Sequence, residues 1–210
     1  MVKSVMYGGF WFRNPSGKEK TIYYPERDIC VPTMMHSGTH ILRFCIMKGY
    51  HRGSPQKEYF FNGESGRKMN VFHLNPEPFP QEYEEMMAEL PVFTSMRHPY
   101  RMWESYKKRS EKDRRNYRHD VFLRQWDRLI KIVSKYDPIY VHVDAPEVRD
   151  LQVQRMAEKT GLPLKYDWGV NTWSGSVHGN HAIDVREDKK VPQEFIDFYY
   201  ETMNNDRKKL

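Results

Sequence analysis

The chain alternates short apolar runs with longer stretches in which apolar residues recur at helical spacing. SVMYGGFWF (4–12) and KTIYY (20–24) are rich in aromatic and β-branched residues and flank the turn-like RNPSGKE, which predicts an antiparallel hairpin at the amino end. ICVPTMM (29–35) reads as a buried strand, although Pro32 withholds a ladder donor. THILRFCIMKGY (39–50), apolar at 41, 42, 44, 45 and 46, predicts a largely buried helix ending near Gly49. The glycines and prolines of 51–68 predict mostly loop, with a short strand at EYFF.

Further on, MNVFHL (69–74), LPVFTSM (90–96) and PIYVHV (138–143) predict strands, and QEYEEMMAEL (81–90) a short helix. VFLRQWDRLIKIV (121–133), apolar at 121, 122, 126, 129, 130 and 133, has the stripe of a helix lying on a sheet. PEVRDLQVQRMAEKTGLP (146–163) begins with the proline and ends near the glycine expected of a helix. Residues 167–188 read as a surface loop, and VPQEFIDFYYETMNN (191–205) as a final amphipathic helix. Strands alternating with helices favour an α/β sandwich with a mostly parallel sheet.

A length of 210 residues accommodates one hydrophobic core, so a single domain over 1–210 is expected. Apolar residues at 39% and aromatics at 14% oppose wholesale disorder despite 30% charged residues. Cys30 and Cys45 lie on apolar segments and read as reduced, buried thiols rather than a disulfide framework. No stretch approaches the roughly 20 apolar residues that span a bilayer, and the first residues lack the apolar core of a signal peptide. No membrane insertion and a cytoplasmic location are therefore the expectations.

The formal charge of +6 favours anionic partners, and between Arg97 and Lys135 thirteen Lys plus Arg face five Asp plus Glu. That stretch offers a basic single-stranded nucleic-acid surface as one alternative and a solvated helix face as the plainer one. None of the common nucleic-acid modules is recognisable in the chain.

Two places carry candidate chemistry. At Ser37-Gly38-Thr39 the chain passes from a strand into the amino end of a helix, where backbone amides lack intrahelical partners and favour an anion. The Walker pattern GxxxxGK[ST] is absent, which disfavours a kinase or GTPase of that kind. In SMRHPYRMWESYKKR, Arg97 follows a strand and Ser105 lies two helical turns into the next helix, a placement suited to clamping phosphate beyond the carboxyl end of a sheet. His178-x-x-His181 with Asp184 has metal-like spacing, but spacing in a loop does not make ligands converge, and no metal is expected.

These two segments resemble the sulfotransferases. DICVPTMMHSGTHIL is similar to their opening strand and 5′-phosphosulfate loop, with Ser37, Gly38 and Thr39 matching directly, Met35 standing for the family proline and His36 for its lysine. VFTSMRHPYRMWESY resembles their 3′-phosphate segment through Arg97 and Ser105, eight residues apart, and MNVFHLN places His73 on the catalytic histidine. Ile41 stands where many members stack tryptophan on adenine, and WSGSVHGNH, with Trp173, His178 and His181, occupies the region of the distal phosphate loop.

The resemblance implies a three-layer P-loop-like sandwich and transfer of a sulfuryl group from 3′-phosphoadenosine 5′-phosphosulfate to a hydroxyl or amine acceptor, leaving 3′-phosphoadenosine 5′-phosphate. It implies His73 and His36 as catalytic residues, and His36, Ser37, Gly38, Thr39, His40, Arg97, Ser105 and Trp173 as donor-binding residues. A nucleotide-binding or interaction protein of the same fold without transfer activity is the alternative raised by the changes at His36 and Ile41.

Overall fold

The computed structural model describes residues 5–6, 21–22, 27–39, 41–46, 50–52, 58–60, 68–113, 119–161, 164–165 and 187–208. Strands β1 (Val5–Met6) and β2 (Thr21–Ile22) pair antiparallel at the amino end. The centre is built from β3 (Arg27–Thr33), β4 (Tyr50–Arg52), β5 (Glu58–Phe60), β6 (Lys68–His73), β7 (Phe93–Met96) and β8 (Ile139–His142). In one sheet the order is β3-β6-β5-β4, with β3 and β6 parallel and the other pairs antiparallel; β7 and β8 form a second, parallel pair.

The two sheets meet at a single parallel bridge, Cys30 to Val92, where the Cys30 amide donates to the Pro91 carbonyl at 2.9 Å. Alternate residues of a strand address the same neighbour, so the next donor toward β7 would come from residue 32. Pro32 has none, and the ladder stops there. The Thr94 hydroxyl donates instead to the Pro32 carbonyl at 2.8 Å, inside the protein. This is the consequence of the proline noted in the sequence: β3 remains a strand, but its bonding to one side is cut short.

Helices cover both faces. Alternation along the strands sends Ile29, Val31, Val71, Phe93, Ile139 and Val141 into one cluster, closed by Val153 and Met156 of α4 (Pro146–Thr160). Cys30, Phe72, Val92 and Met96 enter the other. It is filled from α1 (Gln81–Glu89), α2 (Pro99–Asp113), α3 (His119–Lys131) and α5 (Gln193–Arg207). Trp126 of α3 is fully buried and stacks on Phe195 of α5 at 5.3 Å. Pro146 opens α4, and Gly161 closes it at φ +67°, donating its amide to the Ala157 carbonyl. The result is a mixed α/β domain with two small sheets, each containing a parallel pair, and several helices.

One expectation is corrected and another refined. Residues 50–52, at the edge of the stretch expected to be loop, form β4, a strand three residues long whose pairing is to β5. The segment after Thr39 is helical and largely buried as expected, wound as a π-helical turn over Ile41–Ile46. The Ile41 and Leu42 amides both donate to the Gly38 carbonyl, at 2.8 and 3.1 Å, and Leu42 and Ile46 are fully buried. A nearly continuous apolar run has no period with which to separate π-helical from α-helical winding. Gly49, like residues 166–186, lies outside the described residues. Cys30 is free and buried, and burial pushes its thiol pKa well up; the side chain of Cys45 lies outside the described residues.

Candidate functional site

Because β3, β6, β7 and β8 all run in one direction, their carboxyl ends share an edge, the place where open α/β sheets bind ligands. The loop leaving β3 is tightly specified. Gln125 of α3, itself buried, accepts the Met35 amide at 2.8 Å. His36 follows in the left-handed region at φ +66°, uncommon for a side chain other than glycine. Gly38 sits at φ +97°, and a Cβ there would come within 2.6 Å of Val143 Cγ2, so the loop needs glycine both for its dihedral and for its approach to the end of β8. The Gly38 and Thr39 amides precede the first bonds of the π-helical turn, as an anion-binding helix entrance requires.

Ser37 is fully buried. Its hydroxyl lies 2.9 Å from the Met34 carbonyl and 2.8 Å from Ser95 Oγ of β7. That hydroxyl holds the loop to the neighbouring strand, and the Ser37 amide turns back to the Met34 carbonyl at 3.4 Å, so this residue's polar groups are used within the loop. Thr39 Oγ1 lies 3.5 Å from both Ser37 Oγ and the Met34 carbonyl.

The second segment begins where β7 ends. Arg97 is half-buried, and α2 starts two residues later with Pro99. Burial lowers the Arg97 pKa, an effect opposed by the nearby Asp144 carboxylate and reinforced by Arg101. Asp144, just beyond β8, also accepts the His98 amide at 3.0 Å and the Tyr199 hydroxyl at 2.8 Å, and lies 3.6 Å from Arg101. Asp144 thus pins the turn that presents Arg97, while among the described residues Arg97 itself forms no ion pair. Two turns along α2, Ser105 Oγ lies 2.9 Å from His36 Nδ1, and the His36 ring meets Tyr106 edge-on at 5.4 Å.

His73 ends β6 directly beside Thr33 in the parallel register, and its Nδ1 lies 3.0 Å from Thr33 Oγ1. The chain after it is clamped by Arg128 of α3. That guanidinium donates to the Leu74 carbonyl at 3.0 Å, to the Pro76 carbonyl and to Glu77 at 2.7 Å, and lies over the Phe79 ring at 5.0 Å.

The fold therefore joins His36 to Ser105 by a direct contact and puts His73 on the strand next to their loop. His40, Trp173, His178, His181 and Asp184 lie outside the described residues. Gln125 and Arg128, which position the loops after β3 and β6, were not singled out by the motifs. Their signal was present, however: both are polar residues set within one turn of the apolar stripe at 121, 122, 126 and 129.

Five of the thirteen basic side chains in the stretch from Arg97 to Lys135 form ion pairs among the described residues. Besides Arg128, Arg101 meets Asp144, Lys107 pairs with Glu104 and Asp188, Arg124 with Glu77 and Asp120, and Lys131 with Asp127. Among the described residues no group of three or more His, Cys, Asp or Glu is placed to hold a metal ion, and no helix is long and apolar enough to cross a membrane. No family model, curated protein or solved structure matches this chain.

Proposed function

We propose that this protein transfers a sulfuryl group from 3′-phosphoadenosine 5′-phosphosulfate to a hydroxyl or amine acceptor, on a three-layer P-loop-like sandwich. The observation that carries the reading is the 2.9 Å contact between His36 and Ser105. It draws together the two segments that the sequence resemblance makes the 5′-phosphosulfate loop and the 3′-phosphate clamp, at an edge where His73 ends the adjoining strand. The half-buried Arg97, without an ion pair among the described residues, fits the 3′-phosphate of such a donor.

In this reading Arg97 and Ser105 hold the 3′-phosphate, and the Gly38 and Thr39 amides receive the 5′-phosphosulfate. His73 takes the proton of the acceptor as its oxygen or nitrogen attacks sulfur in line. The bond from sulfur to the bridging oxygen breaks, and its electrons leave on 3′-phosphoadenosine 5′-phosphate. His36 and the loop amides stabilise the charge that develops there, a preorganised anion hole.

Titration calorimetry tests the donor assignment directly. Adenosine 3′,5′-bisphosphate is expected to bind roughly 10- to 100-fold more tightly than adenosine 5′-phosphate, the worth of one or two charge-assisted hydrogen bonds. Arg97→Ala is expected to remove most of that preference. Equal affinities in the native protein would defeat the assignment.

A further inference from the structure

The neighbour of His73 says more than that the ring is held. Thr33 is fully buried, and its hydroxyl has two partners in the structure: the Phe72 carbonyl at 3.1 Å and His73 Nδ1 at 3.0 Å. A carbonyl oxygen only accepts, so the single hydroxyl proton goes to Phe72. Toward His73 the threonine oxygen then has lone pairs alone, and Nδ1 must be the donor. A neutral imidazole with its proton on Nδ1 carries its basic lone pair on Nε2.

We propose that Thr33 is a positioning residue that fixes His73 as the Nδ1–H tautomer and so makes Nε2 its basic nitrogen. The assignment of a purpose to this arrangement rests on His73 acting as the proton acceptor in sulfuryl transfer. Its advantage is that proton uptake leaves the contact with Thr33 intact. When Nε2 gains a proton the ring becomes a donor at both nitrogens, and Thr33 keeps accepting from Nδ1 with its own proton still on Phe72. In the opposite tautomer the threonine hydroxyl would have to leave the Phe72 carbonyl and turn to Nδ1, and Nε2 would already be protonated. The device is encoded by register: in the parallel pairing of β3 and β6, Thr33 stands opposite His73, and side chains of paired residues share a face.

The test reads the tautomer without requiring turnover. Long-range proton–nitrogen correlation spectra of nitrogen-15-histidine-labelled full-length protein at about pH 8, where an ordinary imidazole is neutral, distinguish the pyrrole-type from the pyridine-type ring nitrogen. The His73 signals are identified by their loss in His73→Gln. The expected result is a pyrrole-type Nδ1 in the native protein, retained in Thr33→Ser and shifted toward pyrrole-type Nε2 in Thr33→Val.

In single-turnover assays Thr33→Val is expected to slow transfer roughly five- to tenfold, the worth of one hydrogen bond, with affinity for adenosine 3′,5′-bisphosphate within twofold and the rate restored in Thr33→Ser. A pyrrole-type Nε2 in the native protein overturns the proposal even if the valine variant fails to fold, as does an unchanged tautomer in a folded Thr33→Val protein. The expected tautomer in a protein that transfers no sulfuryl group would sustain the Thr33 assignment and defeat the transfer reading, so the two fail separately.

Discussion

Polar side chains gather at the carboxyl ends of the strands in two groups with opposite characters. Beyond β3, β6 and β7, His36, His73, Arg97 and Ser105 are half-buried, and the contacts between them run through one ring nitrogen or one hydroxyl at a time. At β8, His142 is fully buried among groups that use one another up. Gln152 of α4 donates to His142 Nδ1 and to Asp206, both at 2.8 Å, and accepts the His142 amide at 2.8 Å. His142 Nε2 donates to Thr202 at 3.1 Å, and Arg155 pairs with Asp206. The amide of Gln152 spends both donors and its oxygen on this network. The first group is linked in separate pairs; the second converts its capacity into the attachment of α4 and α5 to the sheet.

The sharpest way to break this contrast is to truncate one member of each group. His73→Ala is expected to lower turnover by roughly 10²–10⁴, the usual worth of a positioned general base, with global stability nearly unchanged and adenosine 3′,5′-bisphosphate affinity within a few fold. Near-native turnover at saturating donor with a verified acceptor would remove His73 from the chemistry. Gln152→Leu should do the reverse. It leaves the buried His142 amide and Nδ1 without their partner and takes one donor from Asp206, and is expected to cost about 3 kcal/mol in urea unfolding, with little change in bisphosphate affinity. A loss of affinity equal to the loss of stability would mean that the two groups are one.

Gly38→Ala joins the two effects at a smaller scale. The new Cβ meets Val143 at 2.6 Å, and the dihedral of +97° resists any side chain, together about 2 kcal/mol of strain. Both stability and bisphosphate affinity are expected to fall. Adding Val143→Ala should recover only the steric share, since the dihedral strain stays. Full recovery in the double variant, followed by thermal unfolding, would show that contact rather than backbone conformation sets the need for glycine.

These two groups were not equally legible. Apolar runs announced β3, β6, β7 and β8, and the proline and glycine bounds of α4 were visible because φ constraints act locally. Ser37, Gly38 and Arg97 stood out for the same reason, since they interrupt or follow a strand, and Ser105 by its eight-residue separation from Arg97. The inward turn of the Ser37 hydroxyl did not show, because its partner Ser95 is 58 residues away. His142 is unmarked in PIYVHV and Gln152 in the helix expected at 146–163, and Asp206 falls just past the helix expected at 191–205. Their meaning lies in contacts over 10, 54 and 57 residues, which no local pattern carries. Residue chemistry is readable locally; whether that chemistry is satisfied is a property of packing.

The mildest test uses pH. Burial holds the pKa of His142 below its ordinary value, against the opposing pull of Asp144, the Tyr199 carbonyl, Asp206 and Gln152; His98 is likewise lowered by burial, with Asp144 opposing. The donation of Gln152 to Nδ1 requires that nitrogen to be unprotonated. As pH falls through about 6.5, the unfolded chain takes up protons on these histidines while the folded chain stays neutral. More protons bound in the unfolded state means that stability rises with pH, so it must decline on acidification from about 6.5 until the folded histidines titrate. Each histidine contributes a slope no steeper than about 1.4 kcal/mol per pH unit. Asp188 and Glu147 have pKa values held low, so the stability they add disappears only in the carboxylate range, below about pH 4. Between roughly pH 6.5 and 5 the decline therefore belongs to histidine, and His142→Gln should flatten it while lowering stability at neutral pH. Urea unfolding at closely spaced pH values would show this; a native protein equally stable at both ends of that window would mean that His142 is protonated as readily folded as unfolded.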